Sequence, residues 1–437
     1  MNKTKQTFVF GFALFAGFFG AGNLILPPLL GFNSGPDWWL VTIGFIISAT
    51  IIPLLALFGH AKLQGTMLAF GNKVSPLFSL IFCLCIYVII IALPCPRTAA
   101  VTHEIAIAPF FNSSSLTTSF IYFSLAFIFV INRNNALEIL GKYLTPIIVL
   151  IILAIIVVGV STTVSPMNIS NLDTPLVSGL LEGYQTYDAV AGMVMGGIVI
   201  ISINNFNETM SFIDKKIMIA KSGLIAMIGL FIIYAGLIAL GALYNSEFPA
   251  DISRTNLLSG LASKTLGNLG AVFLSVLVGL ACFTTAVGII MSTADFFKAL
   301  FKDSKKAYVI TTMVCCIAGI LVGQFEVSYI IKVALPSLMF IYPLCIVLIL
   351  LNAIQETYAS KLVFRWVVFV TFMFSIPDFL NFVIPVEKLE PIIKVIPLAQ
   401  QNLGWVLPAL TTFILVNIYQ KLTNIFNDDF DFEKGNI

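Results

Sequence analysis

The chain has 437 residues, of which 59% are hydrophobic and only 10% charged, against about 25% charged in an ordinary soluble domain. So few charges cannot cover a surface facing water, which excludes a soluble globular protein and makes lipid the covering medium. A net charge of +2 gives no footprint for nucleic acid, and two histidines with seven cysteines scattered along apolar runs give no metal or nucleophilic centre, so neither a nucleic-acid partner nor an enzyme is expected.

In chain order, twelve apolar stretches approach the roughly 20 residues that a spanning helix needs: 8–30, 39–59, 76–96, 116–131, 143–161, 185–204, 219–243, 267–297, 307–323, 327–351, 363–384 and 401–420. The first follows Lys3 and Lys5 and exceeds a signal-peptide core of roughly 7–15 residues, so it reads as a retained membrane helix. With the N-terminus inside, only Arg97, Arg254, Lys264, Lys332, Lys388 and Lys394 of the 23 basic residues fall outside. The inside set includes Arg133 and Lys142. This asymmetry predicts twelve spans with both termini cytoplasmic. The longest loops, 244–266 and 385–400, leave no room for an extramembrane working domain, and residues 421–437 read as a short, mobile acidic tail.

Span 1 holds Gly17, Gly20, Gly22, Asn23, Pro27 and Pro28. Glycine weakens a helix and proline removes a donor, so the pattern predicts an interruption between Phe18 and Gly22. Backbone groups freed at mid-membrane are tolerated only inside protein or against a wet cavity. Amides opening the outer half-helix suit a carboxylate; carbonyls closing the inner half suit an ammonium or a cation. Close helix packing on small residues explains the same glycines equally well. Span 6 carries Gly192 and Gly196-Gly197, which predicts a second mid-span break. Spans 1 and 6 open two five-helix halves, and interruptions at corresponding positions point to an inverted-repeat transporter site. In span 8, adjacent Thr284 and Thr285 suit a hard monovalent cation; hydroxyls bonded back to the preceding turn are the commoner explanation.

Together these segments resemble a known family. Phe18-Phe19-Gly20-Ala21-Gly22-Asn23-Leu24-Ile25 with Pro27-Pro28-Leu29, Pro96-Arg97-Thr98-Ala99-Ala100-Val101, Glu182-Gly183-Tyr184-Gln185-Thr186-Tyr187-Asp188 and Ala281-Cys282-Phe283-Thr284-Thr285-Ala286-Val287-Gly288 are similar to motifs of the branched-chain amino acid:cation symporters. The resemblance implies an all-α membrane protein of twelve transmembrane helices, with the five-plus-five inverted repeat of the leucine-transporter fold and discontinuous helices 1 and 6. Repeat one would cover about 8–161, repeat two about 185–351, with peripheral helices at about 363–420. It also implies uptake of leucine, isoleucine and valine with sodium, or with protons in some relatives; an ion channel is a more remote alternative. No organic cofactor, nucleic acid or obligate protein partner is implied; the partners are substrate, coupling cation and bilayer.

Carried over by residue, the amides of Ala21 and Gly22, beside Gly20, would meet the substrate carboxylate and the Phe18 carbonyl its ammonium. Ala16, Phe19 and Ala281 would give carbonyls, and Thr284 and Thr285 hydroxyls, to sodium. Asn23 would lie near a second, substrate-linked ion. Met193, Met195 and Gly196 would face the aliphatic side chain. Two ionisable residues stand apart from the resemblance. Asp188 enters span 6 and reads as an outer vestibule or gate residue, or as a helix cap; Arg97, with His103 and Glu104, lies toward the outer end of span 3 as a gate residue or as part of an interfacial or intraprotein ion pair.

Overall fold

The computed structural model describes residues 3–132, 145–162, 166–206 and 210–434; Arg133 and Lys142 lie outside them. The described chain is helical and divides into two compact units, Met1–Thr66 with Leu84–Ala334, and Met67–Cys83 with Leu335–Ile437.

The first unit begins with α1 (Lys3–Phe18) and α2 (Ala21–Ser34), then α3 (Trp38–Ile46) and α4 (Ile52–Leu63), joined by a wide π-turn. Next come α5 (Pro76–Ala92), whose second part belongs here, α6 (Pro94–Thr102), α7 (Ser115–Ile131) and α8 (Thr145–Ser161). α9 (Pro175–Tyr184) and α10 (Asp188–Phe206) precede α11 (Phe212–Leu243), α12 (Arg254–Leu266), α13 (Asn268–Leu300), α14 (Lys305–Gly323) and the start of α15 (Val327–Ala353). In the second unit, α16 (Lys361–Leu380) packs on α18 (Val406–Lys434), with the short α17 (Val386–Ile393) between them in sequence. There the Asn352 amide donates to the Phe70 carbonyl at 3.0 Å.

Every one of the twelve predicted stretches falls on a described helix or helix pair. Seven helical runs among the described residues are long and apolar enough to cross a membrane, and Ser115–Ile131 and Pro146–Ser161 are shorter apolar helices. The two longest expected loops are corrected: 244–266 contains α12, where Ser253 caps the amide of Asn256, and 385–400 contains α17. α18 runs on through Lys434.

Side-chain placement inverts the soluble pattern. On α7, Leu116, Phe120, Ile121, Leu125 and Ile128 are exposed, whereas Thr118, Ser119 and Tyr122 are buried. An outward apolar face with inward hydroxyls is stable only where the surroundings are hydrocarbon. Helices approach closely on small residues. A methyl group at Gly44 would strike the Leu176 carbonyl, and one at Gly179 the Val41 carbonyl, so α3 and α9 cross backbone to backbone.

Candidate functional site

The first break lies at Phe19-Gly20, between α1 and α2. Gly20 is extended (φ −130°, ψ −164°). Its amide, which would close the next helical turn on Ala16, instead donates to Asn23 Oδ1 at 3.1 Å. The Ala16 carbonyl thereby loses its regular i+4 donor. Pro27 and Pro28 remove the amides that would bond the carbonyls of Asn23 and Leu24. Gly20 also permits close approach, because a Cβ there would meet the Thr285 hydroxyl of α13 at 2.7 Å.

The second break lies at Gln185-Thr186-Tyr187, between α9 and α10. This corrects the expected interruption at Gly192 and Gly196-Gly197, where α10 is continuous. Those glycines serve packing. A methyl at Gly192 would meet Pro53 and Ala56 of α4, and one at Gly196 the His60 ring. His60 sits with Nε2 2.7 Å from the Met193 carbonyl and Nδ1 3.0 Å from the Gly65 carbonyl.

Side chains hold the second break open. Thr186 donates to the Gly183 carbonyl at 2.8 Å and accepts from the Asp188 amide at 3.2 Å. Arg97 Nη2 donates to the Gln185 carbonyl at 2.9 Å. Tyr187 has φ +65°, in the left-handed region, at a cost of about 1–2 kcal/mol for a residue with a Cβ. Its buried ring carries the Arg97 guanidinium at 5.6 Å from the ring centre. Gln185 also donates to Glu182 at 2.6 Å, and Glu182 pairs with Arg254 of α12 at 2.8 Å.

Both breaks face one cavity of about 60 Å³, several times the roughly 10–15 Å³ that one water needs. Phe18, Gly20, Ala21, Gly22 and Asn23 line it from the first break, Thr186, Tyr187 and Asp188 from the second. Arg97, Thr98 and Thr285 add polar groups, and Ile90, Val190, Ala191, Val194, Met195 and Ile289 an apolar wall. Met195 is in this wall, while Met193 and Gly196 lie against His60 on α4.

Asp188 and Arg97 both line this cavity. Asp188 is fully buried and opens α10, as the helix-end alternative has it. Asn23 Nδ2 donates to both of its oxygens at 2.9 Å, and the Tyr234 hydroxyl of α11 donates to Oδ2 at 2.7 Å. Asn23 Nδ2 also contacts the Tyr234 oxygen. Arg97 is 3% exposed. It stands there because Leu93, preceding Pro94, leaves helical geometry (φ −124°, ψ −72°) and α6 restarts with Arg97 in its first turn. Glu104 instead accepts from Thr255 at 2.8 Å and from the Val327 amide at 2.9 Å, and His103 bonds Thr118 at 2.9 Å.

Of the residues expected to hold a cation, Thr284, Thr285, Ala281 and Phe19 are joined by hydrogen bonds beside the first break. Thr285 donates to the Phe19 carbonyl at 3.2 Å and to the Ala281 carbonyl at 3.0 Å, and Thr284 donates to Ala281 at 2.8 Å. Back-bonding along α13 and a bridge to α1 are thus both present. Sequence reasoning missed Tyr234 and the wall residues Val190, Ala191, Val194 and Ile289. Tyr234 had no local signal, since its role depends on Asn23 and Asp188, which are 211 and 46 residues away in sequence.

Residues 3–423 match the family model described as branched-chain amino acid transport protein. The chain belongs to this family. It is 31% identical to the branched-chain amino acid permease BraB of Bacillus subtilis, over 94% of each chain. It is also 31% identical to the branched-chain amino acid transport system 2 carrier protein of Pseudomonas aeruginosa, over 94% of this chain and 95% of that one. Among solved structures, it resembles the inward-facing conformation of Mhp1 (TM-score 0.59, 13% identity, 94% and 91% of the two chains). It likewise resembles the Eremococcus coleocola manganese transporter (TM-score 0.61, 15% identity, 96% of each). At such identities the likeness concerns the fold, which this chain shares with those transporters. As a member of this family it is a multi-pass membrane transport protein, not an enzyme.

Proposed function

We propose that the chain is a secondary active symporter that imports leucine, isoleucine and valine with sodium across a bacterial inner membrane. The observation that carries this reading is the convergence of two non-helical breaks, Phe19-Gly20 and Gln185-Tyr187, on one small cavity with a polar end and an apolar wall. The names of BraB and the Pseudomonas carrier support the substrate class.

In this reading the chain crosses the membrane twelve times as two inverted five-helix repeats followed by two further helices, with both termini in the cytoplasm. The aliphatic side chain meets Ile90, Val194, Met195 and Ile289, and the substrate's polar end meets the free backbone of the first break. Sodium sits among the carbonyls of Ala16, Phe19 and Ala281 and the hydroxyls of Thr284 and Thr285. Sodium is a co-substrate here, and Thr285 already joins α13 to the Phe19 carbonyl. Binding of either solute raises the affinity for the other by the same factor. Each sodium entering gains about 2.3 kcal/mol per 100 mV.

The test is labelled leucine uptake into proteoliposomes. Uptake should require an inward sodium gradient and vanish when choline replaces sodium. Thr284→Val with Thr285→Ala should remove sodium-dependent uptake while the protein stays in the membrane; retained sodium dependence refutes the site. The buried Asp188 carboxylate favours a second reading, proton coupling. Uptake driven by an inward proton gradient without sodium selects it.

A further inference from the structure

Two opposite charges line the same buried cavity without pairing. Arg97 is 3% and Asp188 0% exposed, and no ion pair joins them among the described residues. Arg97 donates Nη2 to the Gln185 carbonyl, while its Nε has no hydrogen-bond partner among the described residues. A guanidinium has five N–H donors in a planar fork that matches a carboxylate. Asp188 accepts from Asn23 and Tyr234, both neutral donors, so no counter-charge touches it. Unpaired charges inside a membrane protein are costly and mark sites whose partner arrives from elsewhere.

Two consecutive residues of α2 contact the two charged groups. Gly22 lies against the guanidinium, since a Cβ on Gly22 would collide with Arg97 Nη2. Asn23, the next residue, holds Asp188. The two charges therefore stand beside neighbouring residues at the start of α2, each facing the cavity that both line. An α-amino acid carries one charge of each sign. It is neutral overall, so binding it neutralises both protein charges at once.

We propose that Arg97 and Asp188 form a charge-matched clamp, with Arg97 taking the carboxylate and Asp188 the ammonium of a zwitterionic α-amino acid. The Ala21 and Gly22 amides assist Arg97, and the Phe18 carbonyl assists Asp188. The clamp rests on the transport reading above and adds to it the rule that selects free α-amino acids over amines and acids of the same shape. A gate residue acts on every ligand alike; a clamp residue acts only on the ligand charge it faces.

The experiment matches deletion of a charge on the protein with deletion of a charge on the ligand. Binding of leucine, 3-methylbutylamine (no carboxylate) and 4-methylpentanoate (no ammonium) is measured by calorimetry on the purified full chain at fixed sodium. Arg97→Gln should weaken leucine and 4-methylpentanoate roughly 10- to 100-fold and leave the amine within about twofold. Asp188→Asn should weaken leucine and the amine by a similar factor and spare the acid. Equal losses for all three ligands would make both residues structural and overturn the clamp. If the neutral variants fail to fold, the wild type decides: each analogue should bind at least roughly tenfold weaker than leucine, and equal binding overturns the proposal. Arg97→Lys, which keeps the charge without the fork, should retain the preference for the acid over the amine. Absence of leucine binding to the wild type would instead remove the transport reading itself.

Discussion

The two breaks around the cavity do the same work by opposite means. At Phe19-Gly20 the helix opens because side chains are missing: Gly20 is extended, and Thr285 and Asn23 occupy the space and the amide it leaves. At Gln185-Tyr187 the helix opens because side chains are present: Thr186 caps, Arg97 takes the Gln185 carbonyl, and Tyr187 is held at positive φ under a guanidinium. The first break is a property of the local chain. The second is imposed by tertiary contacts, and α6, which is distant in sequence, supplies one of its main supports.

That contrast predicts that adding a side chain to the first break is worse than removing one from the second. The largest expected effect is at Gly20. Gly20→Leu would drive a side chain into Thr285 and separate α13 from the Phe19 carbonyl, disrupting the proposed substrate and sodium sites together. Leucine uptake should fall to background. Gly279→Ala is the control: a Cβ there meets nothing within 4 Å, and replacing a helical glycine by alanine costs nothing and gains up to about 1 kcal/mol. Uptake by the control should match the wild type at equal membrane abundance. If Gly20→Leu still transports, the first break is not a site defined by absent side chains.

The same contrast explains what could be read in the sequence. The first break was legible within a residue or two, because glycine and proline act on their own neighbours. The second was misplaced by about one to three turns. The glycines of α10 were visible, but they serve α4 and His60. The residues that open the chain, Gln185, Thr186 and Tyr187, carry no intrinsic signal for a break. Asp188 and Arg97 were visible as charges in apolar sequence, yet their depth was not, because depth depends on the helix restart at Pro94 and on the position of the second break. Hydropathy placed the apolar segments well, since each depends on its own composition.

A smaller effect is expected at the second break. Thr186→Val keeps the shape but loses the hydroxyl that bonds the Gly183 carbonyl and accepts the Asp188 amide. A buried amide left without an acceptor costs about 1–3 kcal/mol. That loss falls on a segment also held by Arg97 and by the Tyr187 ring, so the break should survive in weakened form. The KM for leucine should rise about tenfold, with membrane abundance near that of the wild type. Thr186→Ser, which restores the hydroxyl, should recover most of the affinity. Failure of serine to rescue would assign Thr186 to packing and remove its hydroxyl from the supports of the second break.

The smallest effect separates the two methionines of α10, which lie two residues apart and face different partners. Met195 lines the cavity, and its methyl carbon occupies the space where a side chain on Gly17 would begin. Met193 is fully buried, with its carbonyl 2.7 Å from His60. Met195→Ala should open the apolar wall between α1 and α10, by about 1–3 kcal/mol in relative side-chain preference. Phenylalanine should then gain on leucine several-fold in kcat/KM for uptake. Met193→Leu conserves volume in the core, costs less than about 1.5 kcal/mol of stability, and should leave the ratio unchanged. The reverse result, selectivity moved by Met193 and not by Met195, would take the substrate's side chain away from the wall that Met195 lines and put it on the Met193 side of α10.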